Sequence, residues 1–153
     1  MAANLQFSMA VHALAALAYN PERLLSSEEI GCSIGTNPVV IRRLTARLAR
    51  AGIVVTRRGK EGGVQLARSP GDIYLSEVHR ALDEESAFSV HPNPGKRNCI
   101  VNRKIKGILQ GICDDVEAAV ESRLGGYTLC DVLSGIDRDR AALVEDAANN
   151  AAK

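Results

Sequence analysis

Seven basic side chains lie between Asn37 and Leu66: Arg42, Arg43, Arg47, Arg50, Arg57, Arg58 and Lys60. Glu61 is the single acid in that stretch, although the 153-residue chain has a formal net charge of only +1. Guanidinium and ammonium groups concentrated in this way attract polyanions, and the chemistry they imply is contact with a nucleic-acid phosphate backbone. An ordinary solvated face mixes charges of both signs, whereas no acid falls between Asn37 and Lys60. The second group of residues able to do chemistry is the cysteines. Cys32, Cys99, Cys113 and Cys130 are widely spaced, with no C-x-x-C pair. Such spacing predicts free thiols in a reducing, cytoplasmic setting rather than a disulfide framework. Cys99 has Lys96, Arg97, Arg103 and Lys104 close in sequence and stands near a predicted helix N-terminus. Those surroundings favour the reactive thiolate and make it the candidate redox sensor.

Other chemistries find no footing. No G-x-x-x-x-G-K-[ST] run and no G-x-G-x-x-G after a strand is present, nor any spacing of metal ligands. No nucleophile-base pair or recognisable pair of carboxylates argues for an enzyme. His12 has no second ligand one helical turn away and is expected to be structural or at the surface, and His79 is expected at the surface rather than as a sensor. No apolar run reaches the roughly 18 to 20 residues of a membrane span.

The basic residues need elements to position them. Leu5 to Tyr19, rich in Ala and Leu, predicts a helix that Asn20-Pro21 ends. Ser26-Ser27-Glu28-Glu29 is a capping box and starts a short second helix. Ile34-Gly35-Thr36 then makes a turn, and Asn37-Pro38 supplies the N-cap and first position of a third helix. In this helix Val40 or Ile41, Leu44, Leu48 and Ala51 form the expected buried stripe, leaving Arg42, Arg43, Arg47 and Arg50 to project elsewhere, with Gly52 as the left-handed stop. Ile53 to Thr56 and Val64 to Ala67 are short strands joined by a glycine-rich tip. Helix, turn, helix and hairpin together predict a winged helix-turn-helix, mainly α, with a small β-hairpin wing. Scarce aromatics, 3% of the chain and no Trp, agree with a helical core of Ala, Leu, Ile and Val.

Beyond the wing, Leu75 to about Glu84 predicts a short helix with Leu75, Val78 and Leu82 inward, and Ser86 to Asn98 an irregular loop. Cys99 to Leu124 predicts a long helix whose Ile105, Ile108, Leu109, Ile112, Val116 and Val120 recur at helical spacing. It is too long to be covered by so small a domain, and a second copy of the chain is the economical partner. A short helix around Leu129 to Leu133, capped by Thr128, and a terminal helix from Asp137 to Ala148 complete the reading. Three regions result: a winged-helix DNA-binding domain over 1–84, a sensor loop over 85–98 and a helical dimerisation region over 99–153. Asp114 to Asp146 carries nine of the eighteen acids, so the C-terminal part is not the expected nucleic-acid face.

The order of these elements, the Arg58-Gly59-x-x-Gly62-Gly63 wing and the following Ile73-Tyr74-Leu75-Ser76-Glu77-Val78 resemble the Rrf-two family of bacterial winged-helix regulators, over roughly Leu5 to Gly135. Here Glu61 and Val64 occupy wing places where the family pattern usually has a third glycine and an aromatic. The resemblance implies a homodimeric transcriptional regulator, a repressor, that binds a near-palindromic double-stranded operator. It places Asn37, Val39, Arg42 and Arg43 nearest the base edges. Arg47, Arg57, Arg58 and Lys60, with Gly62 and Gly63 of the wing, fall on phosphates or the minor groove. Several relatives hold an iron-sulfur cluster through three cysteines in the loop before the long helix; this chain has only Cys99 there, so no such cofactor is expected. Control then falls to thiol oxidation or a small ligand. The alternative reading is a winged helix that docks a protein partner without binding DNA.

Overall fold

The computed structural model describes residues 3–59, 61–82, 90 and 99–138, with side chains from residue 5 onward. Lys60, Lys96, Arg97, nearly all of the expected sensor loop and the tail beyond Arg138 lie outside the described residues. The elements run α1 (Ala3–Ala18), α2 (Ser27–Ile34), α3 (Pro38–Arg50), β1 (Val54–Arg57), β2 (Gly63–Leu66), α4 (Leu75–Leu82) and α5 (Ile100–Leu124), with a sixth helix, α6, over residues 129–138. This is the winged helix-turn-helix that the residue pattern predicts.

Local chemistry starts and stops the helices. Ser26 caps α2: its hydroxyl accepts from the Glu29 N–H at 3.2 Å while the Glu29 carboxylate accepts from the Ser26 N–H at 2.8 Å. Gly35, at φ +76°, ends the helix in the left-handed region. Asn37 Oδ1 then accepts from the Val39 N–H at 2.8 Å, and Pro38 takes the first position of α3. The buried side of α3 differs in detail from the expected stripe. Ile41, Leu44, Thr45 and Leu48 face inward, whereas Val40 and Ala51 are exposed. Thr45 is accommodated because its hydroxyl donates to the Ile41 carbonyl at 2.9 Å, so its own polar group is paired.

The core is aliphatic. Ala10, Ala13, Leu14 and Leu17 of α1 meet Ile30, Ile41, Leu48 and Ile53, all fully or almost fully buried. Each buried Leu or Ile contributes about 1.5–3 kcal/mol of transfer free energy. Antiparallel β1 and β2 pair with Val54 opposite Leu66 and Arg57 opposite Gly63. A bridge between Leu25 and Val64, with N–H to O distances of 2.9 and 2.8 Å, ties β2 to the segment before α2. The wing therefore stands on a third backbone segment, not on its own hairpin alone.

The C-terminal part returns to the same core. Leu75 N–H donates to the Tyr127 carbonyl and Leu129 N–H to the Ile73 carbonyl, each at 2.9 Å, and Leu129 is fully buried. Thr128 caps α6 through Asp131: the Asp131 carboxylate accepts from the Thr128 N–H at 2.7 Å. The expected break between a short helix and a terminal one is absent across residues 129–138, which are continuously helical through Gly135. His79, expected at the surface, is half-buried with its ring edge 6.1 Å from Phe7 between centroids. It lies one helical turn after Leu75 and shares its inward side. α5 contrasts with all of these elements: at about 1.5 Å per residue it is roughly 37 Å long, and none of its side chains is buried.

Candidate nucleic-acid interface

Turn chemistry at Asn37-Pro38 directs the first turn of α3 away from the core. Val39 and Val40 are exposed there, 47% and 36%, unusual for apolar side chains next to a fully buried Ile41. An apolar contact of this kind is how a major-groove helix meets a thymine methyl group. Asn37 spends its side-chain oxygen on the helix cap, which leaves its amide NH2 as the group available to donate outward. Arg43 and Arg50 are exposed on the same helix.

Between α3 and the wing runs a groove of about 640 Å³, and it gathers residues distant in sequence. Arg42 enters from α3, Arg57 and Arg58 from the wing, and Ser26, Ser27 and Glu28 from the start of α2. Gly59, Gly62 and Gly63 form its wing-side wall. Two of these glycines are dictated by close approach. A Cβ on Gly62 would collide with the Arg57 carbonyl, and one on Gly63 would lie 2.7 Å from the Leu25 carbonyl that holds the bridge to Val64. Bare backbone at this place lets the tip fold tightly and leaves Arg57 and Arg58 exposed beside it.

Of the predicted site residues, the groove brings together Arg42, Arg57, Arg58, Gly62 and Gly63. Asn37, Val39 and Arg43 lie on α3 or at its cap without lining the groove, and Lys60 lies outside the described residues. Arg47 is turned another way. It is half-buried, and its Nη1 donates to Gln6 Oε1 at 2.9 Å and to the Leu82 carbonyl at 3.4 Å, linking α3 to α1 and to the end of α4. Glu28 is the site residue that sequence reasoning did not single out. Its Oε1 accepts from Arg42 Nη2 at 2.9 Å, across fourteen positions of sequence. The bond from its own backbone N–H, followed by the Arg42 guanidinium, holds its carboxyl below the usual carboxylate range. No helical spacing links the two residues, so only the meeting of α2 and α3 reveals the pair.

Cys99 is exposed and occupies the N-cap position of α5, where its side chain makes no capping hydrogen bond. Cys32 and Cys130 are also exposed, and Cys113 is half-buried on α5. Fourteen residues of helix separate Cys99 from Cys113, about 21 Å at the α-helical rise. Among the described residues no group of three or more His, Cys, Asp or Glu side chains could hold a metal ion.

Comparison with known proteins agrees with this geometry. The Rrf2 family model, described as an iron-dependent transcriptional regulator, matches residues 3–135. The chain is 37% identical over 132 residues to YwnA of Bacillus subtilis (strain 168), which bears an HTH-type transcriptional regulator name, covering 86% of this chain and 96% of that one. It is 27% identical to the HTH-type transcriptional regulator NsrR of Shouchella clausii, over 83% of this chain and 85% of the other. Among solved structures, IscR of T. potens superposes with a TM-score of 0.61 at 26% identity, covering 86% of this chain and 85% of that one. The iron in the family's description has no counterpart in the donor set described here: the thiols are dispersed, and iron-sulfur clusters need several around one centre.

Proposed function

The chain belongs to the Rrf2 family of DNA-binding transcriptional regulators, and on that basis we propose that two copies of it read a near-palindromic operator and repress transcription from it. The observation that carries this reading is the groove in which Arg42 of α3 faces Arg57 and Arg58 of the wing. α3 enters the major groove with Asn37, Val39, Arg42 and Arg43 toward base edges, while Arg57, Arg58 and Lys60 meet phosphates or the adjacent minor groove. Gly62 and Gly63 allow the wing to approach the duplex without side-chain bulk. Arg47 contributes by joining α3 to α1 and α4, which fixes the angle at which the helix is presented.

The second copy is called for by α5. Ile105, Ile108, Ile112, Val116 and Val120 repeat every three or four residues and are 38–58% exposed, a continuous apolar stripe with no cover among the described residues. Pairing α5 with its counterpart buries that stripe and sets two α3 helices one or two turns of DNA apart. Control is assigned to Cys99, an exposed thiol at the junction between the segment after α4 and the start of α5. Its oxidation would act where the DNA-binding and dimer-forming parts join.

Selection of bound duplexes from a random pool, with reduced and with peroxide-treated protein, tests the reading. The expected result is a two-fold related sequence recovered with reduced protein and weaker recovery after peroxide. Failure to enrich any sequence would overturn sequence-specific reading, and equal recovery in both states would remove Cys99 as the sensor.

A further inference from the structure

We infer that Glu28 is a specificity-determining residue, which holds Arg42 for one base pair and withholds it from the phosphate backbone. The inference rests on the reading of α3 as the base-reading helix and adds to it a residue from α2.

The pair is not there for stability. Arg42 and Glu28 are 59% and 64% exposed, and exposed ion pairs contribute little to folding. Its place is what distinguishes it. Among the residues lining the groove between α3 and the wing, Glu28 is the single carboxylate, set against Arg42, Arg57 and Arg58. A carboxylate in a groove shaped for a polyanion opposes binding, so its presence calls for a compensating role. Glu28 is also firmly mounted. It sits in the first turn of α2, between the capping pair Ser26 and Glu29 and two residues before the buried Ile30. The flexible partner is Arg42, whose long side chain would otherwise reach any nearby phosphate and add affinity without discrimination.

Drawn to Glu28 at 2.9 Å through one Nη, the guanidinium is biased toward one orientation and keeps its remaining donors for the base. A fixed fork can meet the O6 and N7 acceptors of guanine in one register only, whereas a mobile one trades that contact for phosphate oxygens. Sequence preference at one base pair therefore depends on a side chain that need not touch the base itself. Electrostatically, the acid cancels one positive charge of the groove, lowering affinity for random sequence and raising the ratio between operator and random DNA.

The test uses the full-length protein, its selected operator, the operator changed at each base pair in turn, and a random-sequence duplex, each titrated over a range of salt. Arg42→Ala first identifies the base pair whose preference it abolishes. Glu28→Gln and Glu28→Ala are then expected to lower preference at that base pair about tenfold and leave the other positions unchanged. They should also bind random duplex several-fold more tightly, with a salt slope steeper by about 0.9, one extra phosphate contact. If Arg42→Ala relaxes one base pair and neither Glu28 variant does, the role given to Glu28 is overturned while the reading of α3 stands. A uniform loss of affinity at every position in the Glu28 variants would assign Glu28 a merely structural part and overturn the inference as well. If Arg42→Ala leaves every preference intact, the assignment of α3 fails, and that of Glu28 with it.

Discussion

Glu29 shows how much of an element's start can depend on one carboxylate. Arg23 Nη1 donates to its Oε1 at 2.7 Å and the Ser26 N–H to its Oε2 at 2.8 Å. The Arg23 guanidinium, and then the Ser26 N–H, pull its carboxyl from the ordinary 4.5 down to about 2. The folded value lies below the unfolded one, so the stabilisation is complete above about pH 4.5 and is lost as pH falls toward 2. The side chain is 46% exposed, and solvent screening limits the contribution to about 1 kcal/mol or less. Melting temperatures measured from pH 7 to pH 2 should fall more steeply for the wild type than for Glu29→Gln across that window, with the variant already lower at neutral pH. Equal slopes would mean that the capping box contributes no pH dependence. The cap itself was legible in Ser26-Ser27-Glu28-Glu29, because it operates over three residues. The pairing of Glu28 with Arg42 was not, since the partner lies fourteen positions away on another helix.

The wing is an element whose shape depends on another segment. Its two strands could be read from Ile53 to Ala67, but the bridge from Val64 to Leu25 spans the whole helix-turn-helix. Gly63 is the point where that bridge would fail: its added Cβ would lie 2.7 Å from the Leu25 carbonyl and 2.9 Å from the Leu24 Cβ. Gly63→Ala should push β2 away from this segment and cost about 1–3 kcal/mol, as overpacking does elsewhere. Urea unfolding would measure the loss, and operator titration should show weaker binding as the wing shifts. Stability and affinity both unchanged would show that the strand relaxes without consequence. Arg47 teaches the complementary lesson. Its type and spacing resemble those of Arg43, yet packing against α1 and α4 gives its guanidinium protein acceptors at Gln6 and Leu82.

For the molecule as a whole, the apolar stripe of α5, uncovered among the described residues, is the dominant feature. Eight large apolar side chains from Ile100 to Val120 are 38–69% exposed on one helix, while the core beside it is aliphatic. An isolated helix with such a stripe is an aggregation hazard, and burial against a second copy removes it. Replacing Ile108 and Ile112 together by Glu should convert the proposed dimer to a monomer in sedimentation equilibrium while leaving the winged-helix core folded, since neither side chain is buried among the described residues. On the proposed dimer and two-fold operator, binding should drop by at least tenfold, because two half-sites are no longer held together. A variant that still sediments as a dimer would place the contact elsewhere.

The amino-acid sequence determined, by itself, what local forces decide: the capped helices, the Asn37-Pro38 start of α3, the glycine-rich wing and the concentration of arginines between them. Hydrogen bonds over three or four residues and one hydrophobic period per helix are enough to write these features in a linear code. Only the tertiary structure decided which arginines share a groove, that Arg47 turns to protein acceptors, that Glu28 meets Arg42, and that Leu129 completes the core beside Ile73. Those outcomes follow from how helices pack on one another. Their partners are chosen by shape and proximity across long stretches of chain, where side-chain spacing carries no signal.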